Sequence, residues 1–307
     1  MENRPLTNDQ IRSVTKLLAD SAKPMGERFR ALFTLKNIGG HDSIDHIGNV
    51  LLRDESALLK HECAYCLGQM QDEHAINVLE KVLSNVNEHP MVRHEAGEAL
   101  GAIGSDHCLS ILENYLNDPC KDVSETVLLA INRIKHLKQL TLPDGSSSVY
   151  SSVDPAPPLE ENNLNQNIKQ LRTILIDEKE SLFKRYQAMF TLRNMNTDES
   201  ALALADGLDC PDSALFRHEI AFVLGQMQKA ITTEKLSKVL ALRNENEMVR
   251  HECAEALGAI ATDEANAILK KYLFDEQRVV RESAIVALDV SDYNNSEQFQ
   301  LLDSGTI

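Results

Sequence analysis

The chain has 307 residues, and its 43% hydrophobic content supplies one large core or two modest ones, which excludes a disordered chain and a disulfide-stapled miniprotein. Its formal charge of −16 repels phosphate backbones, so we expect no nucleic-acid partner. No basic stretch followed by an apolar run opens the sequence, and no apolar segment of about 18 residues occurs later. We therefore expect a cytoplasmic protein that is neither secreted nor inserted in a membrane.

Residues 1–140 form the first predicted half, which contains four similar units. One position recurs at intervals of 31–33 residues, at Phe29, His61, His94 and Glu125. Each unit has two stretches with apolar residues at helical spacing, for example Ala64, Leu67 and Met70. Helix pairs of this length, which cannot bury their own apolar faces, are typical of an α-solenoid.

The six cysteines do not predict a disulfide scaffold in a cytoplasmic chain of this length. Cys63 and Cys66 form a lone CxxC pair, whereas a structural zinc site would need a second pair. We predict that these two thiols pack between helices.

Residues 141–166 interrupt the helical pattern. Four of the nine prolines lie here, among serine, glycine and other polar residues. Such a stretch predicts a linker that lets two halves face each other instead of continuing one superhelix. We expect it to act as a tether without a catalytic group, because its carboxylates, such as Asp144, Asp154, Glu160 and Glu161, lie outside the recurring position.

Residues 167–307 form the second predicted half, which duplicates the first at a constant offset of 157 residues. At this offset the segment Arg28–Ile38 aligns with Arg185–Met195. The recurring position is occupied in turn by Tyr186, His218, His251 and Glu282. The sequence therefore predicts an all-α protein, an α-solenoid of helical hairpins with two pseudo-symmetric halves of four repeats each.

Histidine followed by glutamate occupies the recurring position in the two middle units of each half, as His61-Glu62, His94-Glu95, His218-Glu219 and His251-Glu252. A single pair of this kind is more often solvated near the start of a helix. Four pairs at duplicated, central positions favour a shared site instead. The other histidines have no counterpart at the offset, and we expect surface or packing roles for His41, His46, His74, His89, His107 and His136.

A glycine follows each of the four histidines by seven residues, at Gly68, Gly101, Gly225 and Gly258. Seven residues are about two helical turns, so each glycine lies on the same face as its histidine. We expect these small residues to leave room beside the imidazoles.

The four dipeptides predict a dinuclear metal site. Neighbouring helices in a stack lie about 8–10 Å apart, so imidazoles from adjacent units can share one ion, and two facing halves can bring two ions together. Histidine and carboxylate ligands without thiolate favour iron or another borderline first-row metal, and two histidines with one carboxylate per ion are typical of non-haem Fe(II) oxygenases. Two alternatives stay open. A non-catalytic scaffold would bind a protein partner without needing these pairs, and a dinuclear hydrolase would use Asp-rich bridging ligands, which have no recurring position here.

Several motifs are similar to those of a known family. They are Lys60–Met70, Met91–Gly104, Ser151–Pro158 and Phe216–Glu219, and the similarity runs from about Arg28 to Leu288. These motifs strongly resemble the deoxyhypusine hydroxylase family, whose four His-Glu motifs are all intact. The resemblance implies a HEAT-repeat fold and two Fe(2+) per chain, with the eight residues of the dipeptides as candidate metal ligands. It also implies dioxygen-dependent hydroxylation of the deoxyhypusine side chain on a translation factor, which forms hypusine.

The four glutamates of the dipeptides need not share one role, because a set of two histidines and one carboxylate per iron uses only two of them. The third-unit motif Met-Val-Arg-His-Glu is identical in both halves, so we assign its glutamates, Glu95 and Glu252, to the metals. We expect Glu62 and Glu219 to face the open side, where they contact metal-bound water or the substrate amine.

Two further glutamates are candidates for binding the amine. Glu98 and Glu255 lie four residues after His94 and His251, which places them on the same helix face. Solvated helix positions are an equally good interpretation of these two.

Overall fold

The structure, a computed structural model, describes residues 8–139, 150–159 and 167–295. These ranges contain sixteen α-helices and no β-strand. The helices before the linker are α1 (Asn8–Ala19), α2 (Met25–Ile38), α3 (Gly40–Arg53), α4 (Ala57–Met70), α5 (Ile76–Ser84), α6 (Pro90–Ile103), α7 (Asp106–Leu112) and α8 (Lys121–Gln139). Those after it are α9 (Ile168–Ile176), α10 (Leu182–Met195), α11 (Asp198–Ala205), α12 (Ala214–Met227), α13 (Thr233–Leu240), α14 (Glu247–Ile260), α15 (Asp263–Leu269) and α16 (Arg278–Asn294). No helix within these ranges is long and apolar enough to cross a membrane.

The even-numbered helices form an inner layer, and the odd-numbered helices form an outer layer. Within each half the four inner helices pack side by side, and each outer helix packs against the inner helix that follows it. Every recurring position of the sequence lies on an inner helix. The predicted all-α solenoid, with four helical hairpins in each half, is therefore confirmed.

The two halves meet at both ends of the inner layer, where α8 packs against α10 and α12, and α16 packs against α2 and α4. Two serines that cap inner helices join the halves. Ser56, the N-cap of α4, donates a hydrogen bond to Glu282, and Ser213, the N-cap of α12, donates one to Glu125, both at 2.6 Å. The histidine-bearing helices α4 and α12 are thus each held at their first turn by the opposite half.

The four glycines that follow the histidines let neighbouring inner helices approach each other closely. A Cβ atom on Gly101 would lie 2.5 Å from the Cβ of Ala130, and one on Gly258 would lie 2.6 Å from the Cα of Ala287. Gly68 and Gly225 face alanines of the next inner helix in the same way. The expectation that these glycines make room beside the imidazoles is wrong, because the space that they leave is filled by the next unit.

In each half, buried arginines tie the first unit to the second and the third unit to the fourth. In each of these arginines, the Nε atom donates to a backbone carbonyl ten residues earlier. The arginines are Arg28, Arg93, Arg185 and Arg250. Their guanidinium groups pair with aspartates just before the next inner helix, namely Asp54, Asp118, Asp212 and Asp275. Because a buried charge is tolerated only when it is paired and hydrogen-bonded, each pair fixes the spacing of two units.

Candidate metal centre

The four histidines of the His-Glu pairs meet between the two halves. The ring centroids of His61 and His94 lie 5.4 Å apart, as do those of His218 and His251. Across the halves, the ring of His61 lies 5.9 Å from that of His218 and 5.2 Å from that of His251. All four side chains are buried. The structure thus brings together four imidazoles from helices that are far apart in the sequence.

Two glutamates reach the histidine of the neighbouring unit in the same half. Glu95 Oε2 lies 3.2 Å from His61 Nε2, and Glu252 Oε2 lies 3.3 Å from His218 Nε2. Glu62 is farther from a ring, with Oε2 4.0 Å from His61 Nδ1. The halves therefore repeat one arrangement, in which the glutamate of the third unit faces the histidine of the second.

Three groups of side chains within the described residues have ligand atoms less than 4.8 Å apart, the spacing that one metal ion needs. These groups are His61, His94 and His218; His218, His251 and Glu252; and His94, Glu95 and Glu98. The first group crosses from one half to the other. Glu62 and Glu219 belong to none of them, although both line the same cavity.

The imidazole nitrogens have almost no hydrogen-bond partners within the protein. Seven of the eight nitrogens of the four rings are buried without one, including His61 Nε2, whose approach to Glu95 lacks hydrogen-bond geometry. The exception is His94 Nδ1, which lies 3.5 Å from Thr126 Oγ1. Buried polar atoms normally find partners, so unpaired nitrogens converging on one space fit a site for bound metal.

Burial keeps these imidazoles neutral. It lowers the pKa of His61 and His218 to about 4. Burial, with neighbouring imidazoles, holds the pKa of His94 and His251 well below the usual value. Since the neutral imidazole is the form that binds a metal, all four rings are in the state that coordination requires.

Six glutamates surround the rings, and burial raises the pKa of each: Glu62, Glu95, Glu98, Glu219, Glu252 and Glu255. The pKa rises to about 7 for Glu95 and Glu255 and to about 8 for Glu98, where the charge of Glu95 adds to the effect of burial. So many carboxyl groups in one buried space repel each other when ionised. Bound cations would relieve that repulsion, which is a second way in which these residues fit metal ions.

A cavity of about 490 Å³, including its open mouth, lies beside the histidines. Its walls come largely in pairs related by the duplication: His61 and His218, Glu62 and Glu219, Tyr65 and Phe222, Glu95 and Glu252, and Glu98 and Glu255. The rings of Tyr65 and Phe222 lie 6.1 Å apart, edge to face. The cavity therefore combines carboxylates with an aromatic pair that the sequence analysis did not single out.

The described part of the linker also lines this cavity, at Ser152, Val153, Asp154 and Pro155. That the linker is a tether without a catalytic group stays a prediction, and the structure adds that this part of it forms a wall of the cavity. Three of the linker carboxylates considered above, Asp144, Glu160 and Glu161, lie outside the described residues. Asp154 pairs with the fully buried Arg193 at 2.6 Å, an interaction that no repeat pattern could reveal.

Comparisons with known proteins agree with this arrangement. A family model of HEAT repeats matches residues 201–289, and one of the PBS lyase HEAT-like repeat matches residues 59–85 and 92–118. The chain is 51% identical over 298 residues to deoxyhypusine hydroxylase of Drosophila melanogaster, with 97% of each chain covered. It is 50% identical over 298 residues to that of Homo sapiens, which covers 97% of this chain and 96% of the human one. The chain belongs to the deoxyhypusine hydroxylase family.

A solved structure supports the same relationship. The structure of human deoxyhypusine hydroxylase in complex with glycerol superposes with a TM-score of 0.89 at 50% identity, and the match covers 93% of this chain and 96% of the human chain. The HEAT-repeat fold implied by the sequence motifs is thus shared with a solved deoxyhypusine hydroxylase.

The remaining histidines and the CxxC pair of this family member lie outside the centre. The rings of His41 and His74 stack at 4.2 Å, and His89 pairs with Glu247 of the other half at 2.9 Å. Cys63 and Cys66 are fully buried in the core and form no disulfide, in agreement with their predicted packing role.

Proposed function

We propose that this protein hydroxylates the deoxyhypusine side chain of a translation factor, using dioxygen and two bound iron ions. The relatives that carry the name deoxyhypusine hydroxylase match this chain over nearly its whole length. The observation that carries the proposal is the set of neutral, buried imidazole nitrogens without partners, which converge on one space beside a cavity lined with carboxylates.

One ion would be held by His61, His94 and Glu95, and the other by His218, His251 and Glu252. The contacts from Glu95 to His61 and from Glu252 to His218 support this division, because each places one carboxylate beside the histidines of its own half. Two histidines and one carboxylate leave positions open on each ion, which is typical of iron sites that react with dioxygen.

Bound iron would supply the activation of dioxygen. One oxygen atom enters a C–H bond of the substrate side chain, and the other leaves as water with two protons and two electrons from an external reductant. The protein's part is to position the side chain, hold its amine and exclude bulk water.

Glu62 and Glu219 are the proposed contacts of the substrate amine. Both line the cavity without belonging to a metal-holding group. Glu98 and Glu255, which are less deeply buried, would contribute negative charge nearer the mouth. A cationic side chain that enters would reduce the repulsion among these carboxylates, and this reduction would favour binding of the amine.

The shape of the site favours a side chain of a protein as the substrate. The cavity is bounded by inner helices and the linker and is too small for a folded domain, so only an extended side chain of the substrate would enter it. The body of the translation factor would then remain outside the cavity.

Mass spectrometry of a deoxyhypusine-containing translation factor, incubated with the iron-loaded protein, dioxygen and a reductant, tests this function. We expect the gain of one oxygen atom and about two irons per chain by metal analysis, as two sets of three ligands require. Binding of the factor without oxygen transfer would favour the scaffold, and product formation by hydrolysis would favour the dinuclear hydrolase.

Matched glutamate variants test the division of roles. Glu95→Gln and Glu252→Gln should lose iron, whereas Glu62→Gln and Glu219→Gln should keep most of it and bind the substrate poorly. Iron content and substrate affinity are measured on all four proteins. The opposite pattern would reverse the assignment.

A further inference from the structure

The cavity follows the two-fold relationship of the halves except at the linker and at Gln69, whose counterpart Gln226 does not line it. Its histidines, glutamates and aromatic rings come in pairs related by the offset of 157 residues. Ser152, Val153, Asp154 and Pro155 have no such counterpart among the residues that line it. The linker thus gives the cavity one wall that its internal symmetry would not provide.

Equivalent glutamines of the two halves hold the first two residues of this wall. The side chain of Gln69 makes two hydrogen bonds with the backbone of Val153, accepting from the N–H at 2.8 Å and donating to the carbonyl at 3.3 Å. The side chain of Gln226 donates to Ser152 Oγ at 3.0 Å. The paired hydrogen bonds of Gln69 fix the position of the backbone beside the cavity.

Two arginines hold Asp154, the next residue along the wall. Arg193 donates to both carboxylate oxygens at 2.9 and 2.6 Å, and Arg133 donates to the backbone carbonyl at 2.8 Å. Arg193 also lies over the ring of Tyr150, 4.6 Å from its centroid. Because Arg193 is fully buried, the loss of the Asp154 charge would remove a carboxylate that compensates a buried cation.

We propose that Ser152–Pro155 is a selectivity wall that narrows the cavity to the width of an unbranched amine side chain, with Gln69 and Asp154 as positioning residues. This inference rests on the proposed function. Val153 and Pro155 add apolar surface to a lining that also contains the aromatic pair, so the methylene groups of the side chain would pack against these residues while carboxylates hold the amine. A fixed wall rejects a branched chain because a methyl group added to the methylenes has no space.

The test compares the binding of putrescine and of 2-methylputrescine, which carries one methyl branch on the methylene chain, to the iron-loaded protein by calorimetry. For the unmodified protein we expect the branched compound to bind at least about 10-fold more weakly, the size of effect that one excluded methyl group produces in a tight pocket. In Gln69→Ala and in Asp154→Asn the difference should fall to within about 3-fold, with iron content unchanged. Gln139→Ala, which changes an exposed glutamine at the end of α8, serves as the matched control and should keep the original ratio.

Two variants and a melting curve separate selectivity from misfolding. If Asp154→Asn melts early, Gln69→Ala still tests the wall, because it removes two hydrogen bonds without exposing a buried charge. Unchanged discrimination in a folded Gln69→Ala protein, or no amine binding by the unmodified protein, would overturn the proposal. Because calorimetry needs no turnover, a protein that discriminates amines without hydroxylating the translation factor would contradict only the proposed function.

Discussion

Each half has two middle units, called the inner units here, and two end units, called the outer units. All of them share one helical architecture but use their recurring position differently. In the inner units this position carries the histidines of the candidate metal centre. In the first unit of each half it carries Phe29 and Tyr186, which are buried in the core. In the last unit it carries Glu125 and Glu282, which bond to serine caps of the opposite half. The repeat thus determines where the side chain at this position points. The type of residue then decides whether that side chain belongs to the candidate site, packs in the core or joins the two halves.

The largest expected effect comes from removing a histidine of an inner unit. His94→Ala should lose iron and reduce hydroxylation by more than about 100-fold, because a lost ligand costs at least as much as a lost partner of a ligand. Tyr186→Phe is the control from an outer unit, since it keeps the ring and removes only a 3.3 Å hydrogen bond to the Leu215 carbonyl. Metal analysis and turnover are measured on both. Full iron occupancy in His94→Ala would contradict the metal assignment.

The buried arginine pairs are common to inner and outer units, so breaking one should destabilise the fold wherever it lies. Asp118→Ala leaves Arg93 buried without its carboxylate and should lower the free energy of unfolding by about 3–5 kcal/mol. Glu180→Ala, which removes a more exposed ion pair with Lys184, should change it by less than about 1 kcal/mol. Urea unfolding of the three proteins measures the difference.

The contribution of the Arg93–Asp118 pair to the free energy of unfolding should also depend on pH. Burial of Asp118 alone would raise its pKa, but hydrogen bonds from Arg93 and from the N–H of Cys120 outweigh burial and lower it. A carboxylate with a lowered folded-state pKa stabilises the protein above its unfolded pKa of about 3.9 and loses that effect as the pH falls through the folded value. The gap in the free energy of unfolding between the unmodified protein and Asp118→Ala should therefore stay constant near neutral pH and shrink below about pH 4. A gap that grows on acidification would contradict this account.

Close helix contact can be tested within one inner helix. Gly101→Ala places a methyl group against Ala130 and should destabilise the protein by about 1–3 kcal/mol. Gly97→Ala is the matched change on α6, where the nearest atom would be at an ordinary 3.5 Å, and it should be neutral or stabilising by up to about 1 kcal/mol. Equal melting temperatures for the two variants would show that the inner helices separate easily.

The smallest effect concerns the bonds that join the halves. Ser213→Ala removes both an N-cap and the bond to Glu125, whereas Ser181→Ala removes only the cap of α10. We expect Ser213→Ala to lower the free energy of unfolding by about 1 kcal/mol more than Ser181→Ala does, because one additional hydrogen bond is lost. Chemical denaturation gives both values. Identical losses would mean that the outer units do not hold the halves together through this contact.

The sequence was sufficient to predict the inner helices and the residues that meet at the centre. Periodicity reports which face of a helix is buried, and a constant offset places His61 and His218 at equivalent points. The role of Gly101 and the anchoring of Asp154 could not be predicted from the sequence. Both depend on contacts between distant segments, and local sequence patterns carry no information about such contacts. One half of the Arg93–Asp118 pair is visible in the sequence, because a lysine or arginine precedes every histidine of the His-Glu pairs. The aspartate that pairs with Arg93 lies outside the motif.

The meeting of histidines from both halves at one centre has a consequence during synthesis. Domains emerge from the ribosome in order, so α4 and α6 can fold while α12 and α14 have not yet been made. Until the later helices dock, His61 and His94 face water instead of the imidazoles that bury them in the finished protein. We expect a nascent chain to offer an open pair of imidazoles to iron from solution, and the arrival of the second half to close the route by which that iron could leave.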